Sequence, residues 1–247
     1  MASPGCGTLV QEWLEKYIIM EDITLLNLSS TMTISCLAGP KAISRILSNA
    51  PAGLIADSVS AIDWSQLVSQ IALIPPDPGP AGLTYLVGEH GLLEREVLPW
   101  LASLGVVMLP SEVFAAHRIL NGIVMPGVDA SENENPLESP LRDHVSFSKG
   151  CYIGQEVIAR IDTYKKLQRA LRPLVIEGPT ESCLSAGKLY QGGTEVGYTT
   201  THARYPGPWR QIAMGYIRIG VDTGSLEYLD PTDGSRHSAY VPKDATW

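Results

Sequence analysis

From Ala170 onward the chain reads as strands and little else. Five short runs, 170–177, 195–201, 212–219, 225–229 and 237–241, are rich in branched, aromatic and aliphatic residues and are separated by Gly, Pro and Asp. Strands this short, with no helix between them, have no room for parallel crossovers. They suggest a small antiparallel β-domain, of which a barrel is one form. We therefore expect a small antiparallel β-barrel over 169–247, with the change of pattern near 165–172.

Residues 1–168 are patterned differently, alternating helical and strand-like segments, which makes the chain α+β as a whole. Leu9, Trp13, Leu14 and Tyr17 fall at helical spacing. Strands are expected at 23–28 and 31–37, on either side of Ser29-Ser30. A helix is expected over 41–47, opened by Gly39-Pro40. Two more strands, 67–74 and 83–87, flank the proline-rich stretch 75–80. A helix over 90–104, a strand over 106–109 and a helix from Ser111 through 120 follow. The stretch 127–140, with Asp129, Glu132, Glu134 and Glu138, reads as a solvated acidic connector, because the order of ligands and Gly in a calcium loop is absent.

Charge and cysteine usage exclude several functions. Lys and Arg number 18 against 26 Asp and Glu, a net charge of −8, which disfavours nonspecific adhesion to nucleic acid or to an anionic membrane. No apolar run approaches the ~18 residues of a spanning helix. The first residues carry neither a secretory nor an Arg-rich transit pattern, so a cytoplasmic protein is expected. The four cysteines, Cys6, Cys36, Cys151 and Cys183, are dispersed without a CxxC pair and read as free thiols in a reducing compartment. The five histidines form no metal-ligand spacing, and no metal site is expected.

The segment Lys149-Gly150-Cys151-Tyr152-Ile153-Gly154-Gln155-Glu156 carries the chemistry. Two glycines flank the cysteine and allow unusual backbone angles or a close approach. A helix is expected over Gln155–Tyr164, with Val157, Ile158 and Ile161 as its apolar stripe and Glu156 paired with Arg160. Cys151 thus stands just ahead of a helix N-terminus and two residues after Lys149. Both features stabilise a thiolate. Arg118 and Arg169 are guanidinium groups suited either to a ligand carboxylate or to an internal salt bridge. Tyr152 suits stacking or packing, and Gln155 suits a ligand contact or a helix cap.

This octapeptide resembles the signature of the YgfZ-type folate-binding proteins, a branch related to the glycine-cleavage T-protein (GcvT). Arg118-Ile119-Leu120-Asn121-Gly122-Ile123, Asn135-Pro136-Leu137-Glu138 and Gln155-Glu156-Val157-Ile158-Ala159-Arg160 are similar to further elements of that family. The resemblance implies a GcvT-like folate-binding domain over 1–168 and a C-terminal barrel over 169–247. Family members usually carry an earlier segment that walls one side of the folate cavity, so a domain lacking its N-terminal part is expected. The resemblance also implies tetrahydrofolate as cofactor, with Cys151 as functional thiol beside Lys149. Arg118, Gly150, Tyr152, Gly154, Gln155, Glu156 and Arg169 would then line the folate site. The implied role is a non-catalytic accessory factor in iron–sulfur cluster assembly or repair. Its partners would be iron–sulfur enzymes or assembly proteins, including those behind tRNA modification.

One position departs from the transferase branch. There the element matching Arg118–Gly122 carries a glutamate that contacts folate, and here that position is Leu120. Leucine cannot hydrogen-bond a pterin edge. The alternatives are an aminomethyltransferase-like one-carbon transferase, which Leu120 weakens, and a remnant that binds nothing.

Overall fold

The structure is a computed structural model describing residues 5–39, 42–55, 71–74, 83–164, 167–178, 184–204 and 210–243. The proline-rich stretch 75–80, most of the expected strand 67–74, Pro40-Lys41 and Cys183 lie outside the described residues. The chain forms two compact units, Met1–Met108 and Leu109–Trp247.

In the first unit, α1 (Gly7–Glu15) precedes a three-stranded antiparallel sheet of β1 (Met32–Leu37), β2 (Ala72–Ile74) and β3 (Thr84–Glu89), in the order β1-β3-β2. The central strand β3 buries Leu86 and Val87. Against the sheet lie α2 (Ala42–Asn49) and a continuous helical run made of α3 (His90–Leu92), a π-helical turn (Leu93–Val97) and α4 (Leu98–Ser103). Their shared core joins Leu37, Ile46, Leu86, Leu93, Val97 and Leu101. The run begins abruptly after β3 because the Glu89 carboxylate accepts the Leu92 N–H at 2.8 Å, an N-cap that ends the strand and starts the helix.

Two expected strands do not form. Residues 23–28 and 106–109 are irregular. Their β-forming side chains are open to solvent: Leu26 is 77% and Val107 75% exposed. Branched residues favour a strand only when a neighbouring strand receives them, and no described strand pairs with these stretches.

In the second unit, α5 (Ser111–Asn121) is followed by short 3-10 turns at Pro136–Glu138 and Arg142–His144 and by α6 (Gln155–Tyr164). Gly122, at φ 65°, ends α5 in the left-handed conformation that glycine adopts most cheaply. Six strands then close a barrel: β4 (Arg169–Glu177), β5 (Lys188–Gln191), β6 (Thr194–Arg204), β7 (Arg210–Arg218), β8 (Leu226–Leu229) and β9 (Arg236–Tyr240). Their order is β4-β7-β6-β5-β8-β9, and β9 returns to pair with β4. The expected antiparallel barrel is present, with one strand more than the sequence pattern indicates. That strand, β5, is only four residues long and joins β6 across Gly192-Gly193.

Alternation along β4 builds two cores. Leu174 and Ile176 point inward with Leu189, Ala213 and Tyr228. Leu171 and Val175 face the other way and pack with Ala116 and Ile119 of α5, together with Met214 and Tyr216. Because α5 lies on the barrel in this way, the compact unit begins at Leu109, well upstream of the change in sequence pattern.

Where β6 crosses β7 the backbones come very close. A Cβ added at Gly197 would collide with the Tyr216 carbonyl oxygen. Backbone cannot yield as a flexible side chain does, so Gly197→Ala should cost about 1–3 kcal/mol of stability. A thermal melt measures this, and an unchanged midpoint would contradict the packing described.

Candidate functional site

The segment that the sequence singles out is an exposed loop leading into α6. It is held at three points. The Lys149 N–H donates to Ser146 Oγ at 3.2 Å, and the Gln155 N–H donates to the Tyr152 carbonyl at 3.2 Å. Gly154, at φ 86°, makes the left-handed turn from which α6 starts. A side chain there would strain the turn, which is the physical reason for the second glycine of the motif. Gly150 stands in open space. Cys151 is exposed, and the helix run Gln155–Tyr164 is as expected.

The electrostatic detail differs from expectation. The Lys149 ammonium lies 4.8 Å from the centre of the Tyr152 ring, a cation–π contact. Glu156 is exposed in the first turn of α6, where a negative charge suits the helix dipole. The expected Glu156–Arg160 pair is not among the ion pairs of the described residues. On α6 the pairing is Asp162 with Arg142, at 2.7 Å, and it ties the helix to the preceding 3-10 turn. Arg142 reaches further back along the chain than an i,i+4 partner and so braces the loop. Its guanidinium also lies 5.2 Å from the Phe147 ring.

The two arginines suited to a ligand carboxylate both sit in internal networks whose partners come from outside the thiol loop. Arg118 is buried and paired with Asp129 at 2.8 Å, and it also donates to the Ile123 carbonyl at 2.7 Å and to Thr201 Oγ1 at 3.1 Å. Asp129 in turn accepts from the Met125 N–H and from the hydroxyls of Thr200 and Thr201. Arg169 donates to Glu138 at 3.0 Å, to Tyr198 Oη at 2.9 Å and to the Asn133 carbonyl at 3.0 Å.

The acidic stretch 127–140 is therefore not a solvated connector. Asp129, Glu134 and Glu138 bind it to the barrel, and the Tyr216 hydroxyl adds a bond to the Asp129 carbonyl at 2.9 Å. Burial works against the charge of Glu134, but hydrogen bonds from Ser131 and Tyr198, with Arg169 nearby, hold its carboxyl below the usual range. Burial and the bond to Glu134 push the Tyr198 phenol up to about 12. Spacing alone cannot reveal this, because Arg118 comes from α5 and Arg169, Tyr198, Thr200 and Thr201 come from the barrel.

Two open concavities formed by the described residues of this unit bear on the site. One, of about 500 Å³, is lined by Ser111, Glu112, Ala115, His202, Ala203 and Arg204. The other, of about 340 Å³, lies between the residues around Glu134 and the start of α6. His202 is not among the residues that the sequence points to. Desolvation drives its imidazole down to about 4, against the pull of Asp230. Its Nε2 lies 2.8 Å from Thr199 Oγ1, and its Nδ1 is buried without a hydrogen-bond partner among the described residues. The sequence carries little signal for it, since the expected strand ends at residue 201 and only the structure extends β6 through His202 to Arg204. Among the described residues no group of three His, Cys, Asp or Glu could hold a metal ion, and no helix is long and apolar enough to cross a membrane.

Against solved structures, the chain superposes on the glycine cleavage system aminomethyltransferase T of Bartonella henselae with a TM-score of 0.70. The match covers 96% of this chain and 65% of that one, at 18% identity. The fold is that of aminomethyltransferase T. In sequence, the chain is 27% identical over 223 residues to the Arabidopsis thaliana protein named "Putative transferase At1g60990, chloroplastic", covering 87% of this chain and 50% of the relative. A shorter stretch of 78 residues is 38% identical to the mouse "Iron-sulfur cluster assembly factor IBA57, mitochondrial", covering 25% of this chain and 22% of that protein. No family model matches the chain. The chain thus spans at most half the length of these curated relatives. Leu120, near the end of α5, is 47% exposed.

Proposed function

We propose that the chain is a YgfZ-type folate-binding accessory protein that supports iron–sulfur cluster assembly or repair, with residues 1–168 as its folate-binding domain. The exposed cysteine loop ahead of α6 carries this reading. A thiol meant for exchange with another protein must be accessible, and Cys151 is exposed on a loop braced from both sides. The fold of aminomethyltransferase T and the stretch similar to an iron–sulfur assembly factor support the same reading. Its clients would be iron–sulfur enzymes or assembly proteins, with tRNA modification among the downstream activities.

The residues of the loop fit tetrahydrofolate in part. Tyr152 offers a ring, Gln155 an amide and Glu156 an exposed carboxylate, and Gly150 leaves open space beside them. Arg118 and Arg169 do not fit the role of tail clamp. A folate carboxylate would have to displace Asp129 or Glu138 from a charge already matched. We therefore assign both arginines to the scaffold. The cytoplasmic expectation stands beside relatives named for the chloroplast and the mitochondrion. Fractionation of the full-length protein decides among the three compartments.

The test is complementation of a strain lacking its own homologue. The wild-type chain should restore iron–sulfur enzyme activity and Cys151→Ser should not. Both should melt alike, because substitution of an exposed side chain without structural partners usually stays within about 0.5 kcal/mol. Full restoration by Cys151→Ser ends the thiol role. Calorimetry with reduced tetrahydrofolate tests the cofactor separately, with saturable one-to-one binding expected. A second reading, one-carbon transfer, draws on the fold and on the relative named as a transferase. Formation of methylene-tetrahydrofolate from an aminomethyl carrier would favour it over the accessory role.

A further inference from the structure

We propose that the groove between residues 132–136 and the start of α6 receives a basic side chain from a partner protein. One wall is the segment 132–136, where the polar Glu132, Asn133 and Asn135 stand beside Pro136, and the other is the start of α6, with the apolar Val157 and Ile158. Val157 is 47% exposed, so its apolar surface is free to be covered. The groove also touches two carboxylates, and they differ. Glu134 is held by Ser131, Tyr198 and Arg169. Glu132 makes no hydrogen bond or ion pair among the described residues, and no cationic side chain lines the groove.

An aliphatic stem over Val157 and Ile158 that ends in a positive head at Glu132 satisfies both walls, and only lysine and arginine have that shape. At about 340 Å³ the open groove lies near the bottom of the roughly 300–1,000 Å³ range of ligand pockets and suits one side chain rather than a whole cofactor. A net charge of −8 steers basic partners toward the chain. Gly154 belongs to both the groove and the Cys151 loop, so a side chain seated here brings its protein alongside the thiol.

The test uses the whole chain, labelled with ¹⁵N, and N-acetyl-arginine amide as probe. Saturable shifts are expected at the amides of Asn133, Asn135 and Gly154, without comparable shifts from N-acetyl-norleucine amide. Glu132→Gln should weaken the arginine probe about threefold to fivefold, in keeping with an exposed ion pair, and added salt should weaken it as well. Glu112→Gln, on α5, should change nothing. Shifts elsewhere, equal shifts with norleucine, or unchanged binding to Glu132→Gln would each overturn the proposal. Folate calorimetry is independent: arginine binding without folate binding ends the cofactor reading alone, and the converse ends the groove alone.

Discussion

Asp129→Ala is expected to cost the barrel unit about 3–5 kcal/mol, the usual penalty for stranding one member of a buried ion pair. Arg118 and Asp129 have side chains 6% and 0% exposed, so water cannot replace the lost partner. The carboxylate also receives one backbone N–H and two threonine hydroxyls. Its loss would leave those donors unmatched together with the guanidinium. Urea denaturation gives the magnitude, and a loss below about 1 kcal/mol would refute the role. The double variant Arg118→Met/Asp129→Leu should recover much of the loss, because removing both charges leaves no stranded ion. A double-mutant cycle should show strong coupling.

Acid should loosen the same unit through His202. Its folded-state pKa is about 4 against an ordinary value of 6.5, with desolvation as the leading cause. Between those values the unfolded chain binds the proton and the folded chain does not. Stability is therefore complete above pH 6.5 and is lost as pH falls toward 4. Within that window the slope approaches about 1.4 kcal/mol for each step of one in pH, so going from about pH 7 to about pH 5 should remove about 2 kcal/mol. Most carboxylates remain charged over that interval, so the slope belongs chiefly to this imidazole. A His202→Gln variant should lose most of the slope. An equal slope in the two proteins would show that His202 is not the responsible group.

What is legible in the sequence is what is local. The run Gln155–Tyr164 is set by its own apolar stripe and by Gly154 before it, and sequence and structure agree on it to the residue. Five of the barrel's strands are legible from their composition and alternation, because a strand buried on one face announces itself in sequence. β5 is not, since four residues give too little alternation to register, although Leu189 within it is fully buried. Residues 23–28 and 106–109 mislead for the opposite reason: their composition suits strands, but strands need partners, and partners come from distant parts of the chain. In the candidate site, the cysteine loop is legible as a contiguous motif. The roles of Arg118 and Arg169 are not, because Thr201 and Tyr198 reach them only once β6 is in place.

The pairing of β9 with β4 has a consequence for the two ends of the barrel. Val175 faces Tyr240 and Glu177 faces Ser238, so the register directs the chain leaving β9 back toward where β4 begins. A ring of strands closed in this way has no structurally privileged first member. In the segment from β4 to β9 taken alone, a linker joining the end of β9 to the start of β4, with new termini cut into the exposed Gly192-Gly193 turn, would preserve every strand pairing of the barrel. Its order along the gene is one of several permutations that encode the same ring.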